Sequence, residues 1–131
     1  MESVGLFMSV FYALSFMVLT VVLITVNWRA ANGRLQRNQW AGIRIPSTMR
    51  SDQAWVAGHR AALRLTPLYL LVLAGLLTAL FVAVLCVSTG VAMLVGIGGL
   101  FVYVPVALYS AFVANRAAKA ADKYPDDRYR Q

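Results

Sequence analysis

The sequence is poor in the residues that most often perform chemistry. It has one cysteine (Cys86), one histidine (His59) and five acidic residues in 131. One cysteine cannot form an intrachain disulfide, and one cysteine with one histidine lacks the ligand set of a typical metal site. No Ser or Cys is placed with His59 as a nucleophile. We therefore expect no metal site, no cofactor and no enzymatic activity.

Charge is missing from three long stretches of the chain. Residues 4–26, 67–87 and 91–114 contain no Asp, Glu, Lys, Arg or His, and 60% of the whole chain is hydrophobic. A helix needs about 20 apolar residues to cross a bilayer core. The stretches predict an all-α integral membrane protein with three transmembrane helices in a single membrane domain, residues 1–131. Because no basic residue precedes the first stretch, we expect a retained span and not a signal peptide.

The basic residues predict the orientation in the membrane. Of the twelve, seven arginines lie in residues 27–66 and five basic residues lie in 115–131, for a formal net charge of +7. The positive-inside rule then predicts a cytoplasmic loop (27–66), a cytoplasmic C-terminal tail (115–131) and an N-terminus outside. Anionic lipid head groups attract basic residues beside spans, so we expect membrane lipids and not nucleic acid as the partner.

Small residues recur along the second and third spans, which three residues join into a predicted tight hairpin. Glycine and alanine at every fourth position let helix backbones approach closely in lipid. The positions concerned are Gly75, Ala79 and Ala83 on the second span and Ala92 and Gly96 on the third. We expect packing within the bundle, with self-association or another membrane protein as the alternative.

The cytoplasmic loop predicts a short helix before the second span. Ser51 is a suitable N-cap, and Asp52 follows in the first turn, where the helix dipole favours a negative charge. We expect a helix from Asp52 through Leu65. Trp55 and His59 share one face of it, and Trp55 is expected at the level of the lipid head groups.

Between residues 38 and 60 the sequence contains Asn38, Gly42, Ile43, Arg44, Pro46, Thr48, Trp55, His59 and Arg60. At this spacing the residues resemble the signature of the SdpI family, bacterial membrane proteins named for immunity to a secreted killing peptide. The family pattern is an Asn four residues before Gly-Ile-Arg, followed by a Pro, a Thr, a Trp and a His-Arg pair. Ser47 stands where an aromatic residue often follows the proline, and longer members have further spans before the signature.

Two interpretations of this signature remain open. In the first, the residues form an internal network that ties the loop to the helix ends, with Asp52 paired to Arg44 or Arg60. In the second, Arg44, His59 and Arg60 recognise an anionic lipid head group or a partner protein, since guanidinium groups suit phosphates and carboxylates and histidine titrates near neutral pH.

Three hypotheses of function follow. The resemblance implies a small protein of the bacterial cytoplasmic membrane that acts by binding, in immunity, sensing or scaffolding, without chemistry of its own. The alternative is an accessory subunit of a larger bacterial membrane complex. A weaker alternative is a lipid-phosphate-binding enzyme or carrier that uses the basic residues of the signature.

Overall fold

The computed structural model of the protein describes residues 2–123, and these are helical apart from one loop and short connections. Four α-helices follow one another: α1 (Glu2–Ala31), α2 (Asp52–Leu63), α3 (Thr66–Val82) and α4 (Thr89–Lys123). A π-helical segment, Ala83–Val87, extends α3. The described residues contain no strand. Residues 124–131, the end of the predicted cytoplasmic tail, lie outside the described part of the chain.

Three helical segments are long and apolar enough to cross a membrane: Ser3–Ala31, Thr66–Val87 and Thr89–Lys123. Large apolar side chains on them point outward, among them Phe7, Leu71 and Phe101, each about 70% exposed. Such surface is unfavourable in water at roughly 25 cal/mol per Å². The chain is a multi-pass membrane protein, and lipid is the solvent for these faces.

The chain divides into two compact units. The membrane unit comprises the described residues up to Val22 together with Pro67–Val106. The loop unit comprises Leu23–Thr66 together with the helix from Ala107 onward. The long helices α1 and α4 each contribute residues to both units.

In the membrane unit, side chains of α1 pack onto glycines of α4. A Cβ atom on Gly96 would overlap the ring of Tyr12, and one on Gly99 would lie 2.5 Å from Cζ of Phe16. At the other end of α1, a Cβ on Gly5 would lie 2.5 Å from the Thr89 methyl group. These helices therefore approach closely because the contact positions have no side chain.

A hydrogen-bonded cluster lies in the same interface. The hydroxyls of Thr20 and Tyr103 are 2.8 Å apart, and the Tyr103 hydroxyl is 3.1 Å from the carbonyl oxygen of Phe16. Both residues are buried, Thr20 almost completely. Because unpaired polar groups are costly in an apolar environment, this cluster favours one register between α1 and α4.

The predicted small-residue positions have two different fates. Ala83 and Ala92 are buried, and Gly96 packs on Tyr12. By contrast, Gly75 has open space around it, and so does Gly98, a further glycine of α4 outside the predicted pattern. The residues of the first group therefore contribute to packing within the bundle, and those of the second group lie on its surface.

In the loop unit, α2 packs closely against its neighbours through small residues. A Cβ on Gly58 would lie 2.8 Å from the Thr48 methyl group and 3.3 Å from the Ala114 carbonyl oxygen of α4. Ala54 and Ala62 of α2 are completely buried. Ser51 caps the helix by accepting a hydrogen bond from the Ala54 amide at 3.1 Å, as predicted from the sequence.

We predict opposite outcomes for two glycines of α4. Gly96→Ala places a methyl group in the Tyr12 ring and should destabilise the protein by about 1–3 kcal/mol. Gly98→Ala meets open space and should be neutral or slightly stabilising, since alanine is the better helix former. Unfolding in detergent measures both. Equal effects of the two substitutions would contradict the packing described for α1 and α4.

Candidate functional site

His59 lies at the centre of the signature residues and is completely buried. Its Nδ1 atom is 2.8 Å from the carbonyl oxygen of Trp55, one turn earlier on α2. Its Nε2 atom accepts a hydrogen bond from the Ile43 amide at 2.9 Å. A carbonyl oxygen can only accept and an amide N–H can only donate, so the ring carries its proton on Nδ1 and is neutral.

Burial lowers the pKa of His59 below the ordinary value for histidine of 6.5, and the hydrogen bond to the Trp55 carbonyl opposes this shift. Geometry and desolvation therefore favour the same charge state. A protonated ring would bring a second N–H against the Ile43 amide N–H. At neutral pH the ring is thus an uncharged connector between the loop and α2.

Trp55 holds the loop at a second point. Its indole Nε1–H donates to the Leu35 carbonyl oxygen at 2.9 Å, and its ring lies 4.1 Å from the His59 ring, centroid to centroid. The side chain is only 1% exposed. Although its amphipathic ring predicts a place among the lipid head groups, the indole is buried within the loop unit and has almost no exposed surface to contact them.

Gly42 fits between these two rings. It adopts φ +105, a conformation that residues with a Cβ rarely adopt. An added Cβ would lie 2.7 Å from both Nε2 of His59 and Cη2 of Trp55. Position 42 therefore requires glycine for its backbone conformation and for the close approach of the rings.

Thr48 closes the loop after Pro46. The buried Thr48 hydroxyl donates to the Ile43 carbonyl oxygen at 2.6 Å and accepts from the Ile45 amide at 3.2 Å. Pro46 disfavours a helical conformation for Ile45, which lies outside any helix. Residues 46–49 then form a turn, in which the Met49 amide donates to the Ile45 carbonyl oxygen at 3.1 Å.

The remaining signature residues also bind backbone. Asn38 Oδ1 accepts from the amides of Trp40 and Ala41 at 2.8 and 2.9 Å. The Arg44 guanidinium donates to the Gln39 carbonyl oxygen. The Arg60 guanidinium donates to the Ala31 carbonyl oxygen of α1 at 3.3 Å. The bonds of Asn38 and Arg44 lie within residues 32–51, hereafter the connecting loop, and the bond of Arg60 joins the two helices that flank this loop.

The ion pairs differ from the predicted ones. Asp52 pairs with Arg37, at 3.4 Å between Oδ1 and Nε, and not with Arg44 or Arg60. The pairing follows from the loop path, because Arg37 is also held by a 2.7 Å hydrogen bond to the Met49 carbonyl oxygen. Arg50 pairs with Asp122 of α4 at 3.3 Å. Sequence reasoning gave no role to Arg37, Leu35 or Asp122, because these contacts link residues distant in sequence.

A cavity of about 300 Å³ lies in the loop unit beside this network. It is lined by Gly33, Leu35, Gln36, Arg37, Asp52, Trp55 and Val56. Arg44, His59 and Arg60, the three predicted contacts for an anionic ligand, are not among its lining residues. Each of the three instead binds its own backbone partners: Arg44 binds the Gln39 carbonyl oxygen and Arg60 that of Ala31. His59 binds the Trp55 carbonyl oxygen and the Ile43 amide.

The sequence model of the SdpI/YfhL protein family matches residues 34–109. This range covers the connecting loop almost completely, all of α2 and α3 and more than half of α4. The chain belongs to the SdpI/YfhL family. No curated protein and no solved structure matches it.

The polar residues of the family signature share one structural role in this chain. Every SdpI/YfhL signature residue with a polar side chain in this chain binds a backbone group of the loop unit. A sequence pattern of Asn, Gly, Thr, Trp and His at fixed spacing is what such a folded loop requires.

We predict that Gly42→Ala unfolds the connecting loop. The strained φ costs about 1–3 kcal/mol, and the overlap with His59 and Trp55 adds about 1–3 kcal/mol. The matched control is Gly33→Ala, at φ +69 with nothing near its Cβ, which should cost only about 1–2 kcal/mol. Hydrogen exchange of loop amides in detergent measures both. Equal protection in the two variants would contradict this arrangement.

We also predict that acid destabilises the loop through His59. Its pKa is lower in the folded protein than in the unfolded chain, so the unfolded state binds more protons below about pH 6.5. The stability contribution is therefore complete above this pH and is lost as the pH falls. Loop amide protection, followed from about pH 8 to about pH 5, should decrease. His59→Gln, which does not titrate, should remove the dependence; an unchanged dependence would assign it to another group.

Proposed function

We propose that this chain acts by binding at the bacterial cytoplasmic membrane, in an immunity, sensing or scaffolding role, without chemistry of its own. The observation that supports the proposal most is that the signature side chains form hydrogen bonds within the fold. The lone pair of the His59 ring accepts from the Ile43 amide, and the Thr48 hydroxyl is bound to loop backbone. A general base or nucleophile would need these groups available to a substrate.

The proposed topology places the connecting loop and the C-terminus in the cytoplasm and the N-terminus outside. Its support is the charge distribution in the described part of the loop unit, with ten basic residues against the two acidic residues Asp52 and Asp122. Both carboxylates are already paired with arginines. The surplus positive charge favours the cytoplasmic side and contact with anionic lipid head groups.

The proposed binding partner is another membrane component, recognised through the surface that the folded loop supports. The signature network binds the loop backbone at Leu35, Trp40, Ile43 and Ile45, so the exposed side chains along this stretch start from fixed backbone positions. A surface that is ordered before binding loses less conformational entropy when a partner binds. Loss of the network should therefore abolish binding even where no contact residue is changed.

A second candidate function is that of an accessory subunit in a larger membrane complex. The observation that favours it is the open space at Gly75 and Gly98 on helices that face lipid. Glycines at lipid-facing positions allow a partner helix to approach the backbone closely. Purification in mild detergent tests this candidate: a stoichiometric partner supports it, and recovery of the chain by itself counts against it.

The experiment for the immunity role is deletion of the gene, followed by challenge with secreted killing peptides. The expected result is increased sensitivity, restored by the wild-type chain and by Gly33→Ala but not by Gly42→Ala. The two variants add the same methyl group at different positions of the loop. The comparison therefore tests whether the folded loop is required for immunity. Unchanged sensitivity after deletion would overturn the immunity role.

A further inference from the structure

Trp40 is the most exposed large hydrophobic side chain among the described residues. It is 91% exposed, whereas Trp55 is 1% exposed and Trp28 is 43% exposed. Its indole N–H bonds to no residue within 2–123. An indole has a large apolar body and one polar donor, so it is most stable where one end is apolar and the other is hydrated. The connecting loop presents this side chain outward without a partner in the described chain.

The backbone at Trp40 is fixed. Asn38 Oδ1 accepts from the Trp40 and Ala41 amides, and Asn38 Nδ2 donates to the Gln36 carbonyl oxygen at 2.8 Å. On the other side, Arg44 donates to the Gln39 carbonyl oxygen. The exposure of Trp40 is therefore a property of a hydrogen-bonded turn, and the signature residues Asn38 and Arg44 are the ones that hold it.

The chain path limits how far Trp40 can lie from the end of the uncharged stretch of α1. The uncharged stretch of α1 ends at Val26, and Ala31 lies five residues further, about 7.5 Å along the helix. This distance is comparable to the depth of one head-group layer. The loop is then fixed again at Leu35 by Trp55, and five residues to Trp40 span at most about 18 Å.

The charge near Trp40 complements an anionic surface. Residues 32–51 contain four arginines and no acidic residue. Arg37 and Arg44 flank the tryptophan and, with five N–H donors in each guanidinium, retain donors beyond those used in the loop. Tryptophan and arginine together are suited to the head-group region, where the indole lies among head groups and guanidinium groups bind phosphates.

From these observations we propose that Trp40 is an interfacial anchor, which docks the connecting loop onto the anionic lipid surface of the membrane that the helices span. Arg37 and Arg44 bind lipid phosphates on either side of the indole. The proposal rests on the proposed cytoplasmic placement only for the negative charge of the lipid. It assigns the lipid contact to the exposed residues between the signature positions, and not to His59 or Arg60.

The test is fluorescence of the full chain in nanodiscs, whose two faces are both open to solvent. The discs contain phosphatidylcholine alone or with phosphatidylglycerol, with and without lipid brominated close to the head group. Subtraction of the Trp40→Phe spectrum from the wild-type spectrum isolates the Trp40 emission. The matched control is Trp28→Phe, which isolates a tryptophan at the end of α1.

The expected result is Trp40 emission shifted to shorter wavelength than an indole in water, largely lost with brominated lipid and protected from aqueous iodide. Protection should be greater in discs with phosphatidylglycerol. Emission that iodide quenches and brominated lipid does not would overturn the proposal. Protection from both quenchers would also overturn it, because protein, such as a second copy of this chain, would then cover the indole.

The result of the fluorescence test does not depend on whether the proposed function is correct. Sensitivity to killing peptides and recovery of a stoichiometric partner are measured without a substitution at Trp40 and do not involve its fluorescence. Lipid quenching of Trp40 with no deletion phenotype would retain the anchor and overturn immunity. A deletion phenotype with an iodide-accessible Trp40 would retain immunity and overturn the anchor.

Discussion

The hydrogen bond from the Ile43 amide to His59 Nε2 is the interaction on which the connecting loop depends. It spans 16 residues of sequence and joins the loop to α2. It forms only while the ring is neutral and protonated on Nδ1, which the Trp55 carbonyl favours. Gly42, next to Ile43, then has to lie against the rings of His59 and Trp55, and this contact excludes a side chain at position 42. Leaving the buried ring unpaired would cost about 1–3 kcal/mol.

The two units of the chain are stabilised by different means. In the membrane unit the hydrophobic effect does not drive helix association, because lipid is as apolar as the side chains. The helices α1 and α4 therefore associate through glycine contacts and the Thr20–Tyr103 hydrogen bond. In the loop unit, most of the polar side chains of the signature form hydrogen bonds with backbone groups of a loop that has no regular secondary structure. A loop of this length is ordered only if its backbone groups find such partners.

Much of the helical architecture could be predicted from the sequence, because uncharged stretches have few interpretations other than membrane helices. Ser51 as an N-cap was also predictable, since capping is local. The prediction was less successful for contacts across the loop. Asp52 pairs with Arg37, and Trp55 is buried, because both depend on where the chain returns after a turn. The exposure of Trp40 has the same origin: local pattern does not distinguish a buried tryptophan from an exposed one in an irregular segment.

The protonation state of the His59 ring tests the central claim most directly. Nitrogen chemical shifts of the imidazole, measured by NMR on the full chain in detergent at neutral pH, report which ring nitrogen carries the proton. The arrangement described above requires a neutral ring with the proton on Nδ1 and an unprotonated Nε2 that accepts from Ile43. A ring protonated on Nε2, or one that carries both protons at neutral pH, would contradict it.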